Sequence, residues 1–170
     1  HLEPITSKLE KAGATIEEFD DSLRVYRTGD LEPLNIKTMP HPGFPTDMQP
    51  LMTVLLTLAK GTSIITEGIW ENRFRYVDEL TRMGANIQVD GRVAVIEGVQ
   101  ELLPAPMRAA DLRAGAALVV AALAADGVSE VDEICHIERG YEDIVEKLRG
   151  LGADIKRVEK PAGVLRQAAL

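Results

Sequence analysis

A chain of 170 residues with 27 acidic and 19 basic side chains, formal charge −8, offers no basic stripe for a nucleic acid and no cationic face for an anionic membrane. Apolar residues make up 45% and aromatics only 4%, so the core must be built from Leu, Ile, Val and Ala. The single cysteine, Cys135, excludes an internal disulfide framework and a multi-cysteine zinc site, and fits a reducing, cytoplasmic setting.

The chain opens HLEPITSKLEKAGA, with Leu2, Ile5, Leu9 and Ala12 at helical spacing. This helix runs into Gly13, and with no initiator Met the opening is expected to belong to a piece of a longer protein. ATIEEFDDSLRVY then reads as two strands joined by a turn at Asp20-Asp21. HPGFPTDMQP (41–50) crowds Pro42, Pro45, Pro50 and Gly43 around Thr46-Asp47, and Thr46 with Gln49 has the Thr-x-x-Gln form of a capping box. The apolar helix TDMQPLMTVLLTLAKG (46–61) closes at Gly61 and leads into a strand, TSIITEGI (62–69). ENR (71–73) and a second helix follow, ending at Gly84-Ala85, and then a hairpin turns at Asp90-Gly91. The pattern restarts with LRAGAALVVAALAADG (112–127), for which Asp111 is the natural N-cap. Its apolar core is too short to span a bilayer and suits a buried helix. A strand VSEVDEIC (128–135), the triplet IER (137–139) and a helix ending at Gly152-Ala153 complete what is legible.

These segments are copies of one unit: strand, helix, strand, helix, strand, strand. Gly61 and Gly127 are 66 positions apart, as are Arg73 and Arg139, and Asp47 and Arg113. The expected organisation is a partial unit over 1–34, a full unit over 35–99, an incomplete unit over 100–159 and a tail over 160–170. The third unit lacks a clear final strand, which predicts an unpaired sheet edge covered by a segment from outside the chain.

The repeat places Asp47 and Arg113 in matching first turns of apolar helices. Free N–H groups and the helix dipole there favour phosphate or carboxylate, and Arg113 adds a bidentate donor. Asp47 instead suits a hydrogen-bond acceptor or general base toward a hydroxyl. Both residues suit simple capping or surface positions equally. Arg73 and Arg139 follow strands, where loops hold functional groups or surface ion pairs. Cys135 and His136 stand at a strand end with no second ligand in sight, so no metal site is expected.

The strings PHPGFPTDMQ, IWENRFRYVDELTRMGA, RAADLRAGAALVVAALAADG and HIERGYEDIVEKLRGLGADI together carry a resemblance. They resemble the C-terminal part of the UDP-N-acetylglucosamine 1-carboxyvinyltransferase branch of the enolpyruvyl transferase family. The resemblance covers the chain to about Glu159. It implies an inside-out α/β barrel domain built from repeated βαβαββ units, with apolar helices inside and sheets outside. It further implies transfer of the enolpyruvyl group of phosphoenolpyruvate to the 3′-hydroxyl of UDP-N-acetylglucosamine, an early step of bacterial peptidoglycan synthesis, with no cofactor.

Carried over on the matching motifs, Asp47 would contact the 3′-hydroxyl as base, and the backbone at Ile69 would help hold the sugar nucleotide. Arg139 would reach phosphoenolpyruvate or its phosphate. Asp111 and Arg113 would line the cleft, with Arg73 and Glu71 in a neighbouring segment. The family's Lys-Asn pair and cysteine-bearing loop belong to another, N-terminal domain, absent from these residues, and Cys135 does not replace that cysteine. The chain alone is therefore expected to be inactive and to need that domain as partner. Two other readings stay open: a non-catalytic interaction module that keeps the fold, and a relative of the 5-enolpyruvylshikimate-3-phosphate synthases.

Overall fold

A computed structural model describes residues 2–159. The first helix, α1 (Glu3–Lys11), ends where Gly13 takes φ 97°, and β1 (Ala14–Glu18) pairs antiparallel with β2 (Leu23–Arg27). The same helix-end turn recurs at Gly84 (φ 86°) and Gly152 (φ 95°), a left-handed conformation that only glycine adopts freely. The Gly-Ala signal in the sequence is thus a backbone requirement repeated three times.

The central part runs β3 (Asn35–Lys37), a single 3-10 turn (Thr46–Met48), α2 (Gln49–Leu56), β4 (Thr62–Thr66), α3 (Val77–Arg82), β5 (Asn86–Asp90) and β6 (Val93–Glu97). Its sheet has the order β3-β4-β6-β5. β3 lies parallel to β4, with Ile36 opposite Ile65, and the other pairs are antiparallel. Alternation sorts the faces: in β4, Ser63 and Ile65 point into the core while Thr62 and Ile64 face outward. β7 (Pro106–Arg108), α4 (Leu112–Ala124), β8 (Glu130–Asp132), α5 (Cys135–Glu138) and α6 (Ile144–Gly150) follow, with β7 parallel to β8.

α2 and α4 are apolar almost all round and pack on one another. Met52, Leu56, Ala117, Leu118 and Ala121 are fully buried there, and Ile36, Ile65, Leu80, Ala94 and Ile96 join the same core from the four-stranded sheet and α3. Burying one such Leu or Ile is worth about 2 kcal/mol, so this shared core is what seats the two helix N-termini beside each other. The described residues form an α/β structure with three separate sheets, of two, four and two strands. No helix among them is long and apolar enough to cross a membrane.

Three expectations are corrected. The strand expected over 128–135 is only β8; Glu133 enters the left-handed region at φ 61° and breaks it, so Cys135 and His136 open α5 instead. The strand expected over 62–69 stops at Thr66, because the Glu67 side chain takes up the N–H groups of Ile69 and Trp70 and turns the chain. The capping box at Thr46 and Gln49 does not form, for reasons given below. The expected tail, 160–170, lies outside the described residues.

Candidate functional site

The segment before Asp47 is a closed loop. Gly43 N–H donates to the Pro40 carbonyl (2.8 Å) and Met39 N–H to the Phe44 carbonyl (3.0 Å), while the Phe44 side chain is buried in the core. Proline removes donors and fixes φ, so the chain reaches Thr46 along one path. Pro45 is extended at the N-cap position of the 3-10 turn and no side chain caps it.

Thr46 does not cap because its hydroxyl donates sideways to Glu67 Oε2 (3.0 Å). Gln49 does not complete the box because it is fully buried and turned toward Tyr76. The Tyr76 hydroxyl lies 3.0 Å from the Gln49 amide oxygen and 2.7 Å from Thr53 Oγ1, and Thr53 in turn donates to the Gln49 carbonyl (3.0 Å). One phenolic proton cannot serve both neighbours, and the Gln49 Nε2 is buried without a partner among the described residues. The Tyr76 proton therefore goes to one of these two oxygens, and the Thr53 hydroxyl passes its own proton on to the backbone. Burial pushes the Tyr76 phenol well above its usual range, so it acts only as this neutral relay.

Glu67 is the second buried polar centre, 1% exposed at the end of β4. Its Oε1 accepts from the Thr38 hydroxyl (2.7 Å), the Ile69 N–H (2.8 Å) and the Trp70 N–H (3.1 Å), and its Oε2 from Thr46. Thr38 Oγ1 also accepts the Gly68 N–H (2.7 Å). Gly68 has to be glycine: a Cβ there would sit 2.4 Å from the Thr38 carbonyl oxygen, well inside contact distance.

Asp47 projects from the 3-10 turn between two arginines. Arg113, in the first turn of α4, brings its Nε onto Asp47 Oδ1, and Arg73 Nη2 approaches the same oxygen at 3.4 Å and the Thr46 carbonyl at 3.5 Å. The hydrogen bond to Asp47 holds the Arg113 guanidinium more firmly protonated than usual, against the opposing effect of its partial burial. The Asp47 side chain is 52% exposed, so the pair contributes little to stability and leaves the carboxylate accessible. Arg73 is mostly buried, and its Nε has no partner among the described residues. A buried guanidinium with long contacts and an unused donor retains capacity for an anion.

The remaining expected residues are placed as follows. Asp111 is the N-cap of α4, with Oδ1 accepting from the N–H groups of Arg113 and Ala114 (both 2.9 Å), and so it orients the turn that carries Arg113. The Ile69 N–H is engaged by Glu67, so a ligand contact from that backbone falls to its carbonyl. Glu71 pairs with Arg92 (3.0 Å) and braces the β5–β6 hairpin. Arg139, at the C-cap of α5, is exposed and makes no ion pair among the described residues. Gly140 beside it lies against Leu112, between Asp111 and Arg113 in the chain, which puts Arg139 in the same neighbourhood. The structure therefore joins Asp47, Arg73 and Arg113 and leaves Arg139 at the edge. Glu67, Thr38 and Tyr76 carry no local sequence signal of these roles, because their partners lie far along the chain.

Residues 1–148 match the family described as EPSP synthase (3-phosphoshikimate 1-carboxyvinyltransferase). The chain belongs to the EPSP synthase family of enolpyruvyl transferases. Among its relatives, the UDP-N-acetylglucosamine 1-carboxyvinyltransferase 3 of Caldanaerobacter subterraneus subsp. tengcongensis is 56% identical over 160 residues, which is 94% of this chain and 38% of that protein. The UDP-N-acetylglucosamine 1-carboxyvinyltransferase of Desulfofundulus thermocisternus is 56% identical over 92% of this chain and 65% of its own length. The crystal structure of the enolpyruvyl transferase NikO from Streptomyces tendae superposes with TM-score 0.84 at 34% identity, covering 91% of this chain and 36% of that one. An EPSP synthase from Acinetobacter baumannii shares the fold at TM-score 0.66 and 22% identity. The chain thus spans well under half the length of most of these proteins, and all but a small part of it is matched.

Proposed function

We propose that this chain supplies the C-terminal-type domain of a UDP-N-acetylglucosamine 1-carboxyvinyltransferase, residues 1–159, and with it one wall of the active site. In that domain α2 and α4 are the inner helices of an inside-out barrel, with the sheets outside and further strands contributed from the rest of the enzyme. The observation that carries the reading is the cluster of Asp47 with Arg73 and Arg113, set at the starts of two buried helices. The relatives at 50–57% identity that bear this enzyme's name support the choice of acceptor.

The cluster supports the following chemistry. Asp47 takes the proton from the sugar 3′-hydroxyl as its oxygen bonds to C2 of phosphoenolpyruvate and C3 gains a proton; the tetrahedral intermediate then loses phosphate from C2 and a proton from C3, which restores the double bond as an enolpyruvyl ether. Arg113, Arg73 and, on closure, Arg139 hold the substrate's phosphate and carboxylate as charge shifts. Before substrate arrives both clustered arginines lean on Asp47. An incoming anion gives them a second partner and relieves the carboxylate of part of their hold, which frees it to act on the hydroxyl. The proton delivered to C3 comes from the other domain, so the isolated chain is inactive and the reaction belongs to the full-length cytoplasmic enzyme. Asp111 orients Arg113, and the Ile69 carbonyl faces the sugar nucleotide.

The test is phosphate release by the full-length protein. Release from phosphoenolpyruvate that depends on UDP-N-acetylglucosamine supports the reading. Release that depends instead on shikimate 3-phosphate assigns the chain to the sister activity, and no release with either acceptor favours a non-catalytic module.

A further inference from the structure

We infer that Glu67 is a positioning residue for the transfer, holding Asp47 and the Ile69–Trp70 backbone in one fixed relation; this rests on the assignment of both to the acceptor sugar above. A carboxylate buried to 1% exposure is expensive, and no ion pair among the described residues compensates it. For stability alone an apolar side chain of similar volume would serve as well or better. What the carboxylate provides is geometry. Oε1 fixes the 69–70 turn through two backbone N–H groups and ties it to Thr38 at the end of β3, while Oε2 holds Thr46. Thr46 is the residue before Asp47, and its carbonyl also receives Arg73.

The two oxygens belong to one rigid plane, so neither contact can shift without the other. The plane itself is anchored in the sheet, where the Glu67 N–H donates to the Arg92 carbonyl (2.8 Å). Glu67 touches no substrate in this arrangement. It sets the distance between the group that takes the proton and the backbone that holds the acceptor sugar, a distance on which rate depends steeply.

The two arms can be cut separately in the full-length enzyme. Thr46→Val removes the Oε2 arm alone and should lower kcat about tenfold, with KM for UDP-N-acetylglucosamine within about twofold of wild type. Glu67→Ala removes both arms and should lower kcat about 100-fold and raise that KM about tenfold, with KM for phosphoenolpyruvate nearly unmoved. Glu67→Gln keeps an acceptor at Oε1 and can donate to Thr46 Oγ1, so it should recover most of the lost rate. Activity losses that merely track the folded fraction, with no change in KM, would overturn the inference. Should Glu67→Ala fail to fold, a Thr46→Val enzyme with wild-type kcat overturns it equally. A wild-type enzyme that releases no phosphate with this acceptor refutes the functional reading itself and takes this inference with it.

Discussion

Gly68→Ala is the smallest change that presses on the site from behind. The new Cβ would lie 2.4 Å from the Thr38 carbonyl oxygen, where ordinary contact begins at 3.4 Å, so backbone must yield by about 1 Å. The listener is main chain on both sides and cannot swing away as a side-chain tip would. Overpacking of this kind costs about 1–3 kcal/mol. Moving β3 away also strains two short hydrogen bonds, the half-buried one from Gly68 N–H to Thr38 and the buried one from Thr38 to Glu67, at about 1 kcal/mol each. The expected loss is about 3–5 kcal/mol, a large share of the roughly 5–15 kcal/mol that holds a typical domain together. Equilibrium urea unfolding followed by circular dichroism measures it. Gly29→Ala is the control, since nothing lies within 4 Å of a Cβ there, and it should stay within about 0.5 kcal/mol of wild type. A Gly68→Ala protein as stable as the control would refute the close-approach argument and the geometry of the Glu67 centre with it.

Tyr76→Phe should destabilise by about 2 kcal/mol by stranding the buried Gln49 amide, and adding Gln49→Leu should restore about 1 kcal/mol or more; additive losses in the double-mutant cycle would contradict the relay. Arg113→Lys should leave stability within about 1 kcal/mol, because the pair with Asp47 is half exposed, yet lower kcat/KM by about 10–100-fold through loss of the planar fork, as measured by phosphate release from the full-length enzyme. Unchanged kcat/KM would remove Arg113 from the site.

Much of the scaffold is legible because its signals are local. Gly13, Gly84 and Gly152 mark helix ends through backbone conformation alone, and Asp111 caps α4 through N–H groups two and three residues away. The 66-residue spacing pairs Asp47 with Arg113, and the shared core of α2 and α4 brings that pair into contact. The errors arise where partners are distant in the chain. Thr46 and Gln49 have the sequence of a capping box, but Glu67 and Tyr76, 21 and 27 residues on, compete for their side chains and win. Glu67 itself gives no local sign of burial, because its donors come from Thr38, Thr46 and its own turn. The strand expected to reach Cys135 fails at Glu133, whose left-handed backbone no periodicity reveals. The stiffened stretch HPGFPTDMQP therefore serves delivery: it brings Thr46 to Glu67 and Asp47 to two arginines, and caps nothing.

Asp47→Asn in the full-length enzyme tests most directly whether Asp47 takes the proton from the acceptor hydroxyl. Asparagine keeps the shape and removes the basicity, so single-turnover phosphate release with both substrates saturating should fall by about 10²–10⁴-fold while the sugar nucleotide still binds. Single-turnover release within about threefold of wild type would contradict the account and leave Asp47 as no more than a partner for its arginines.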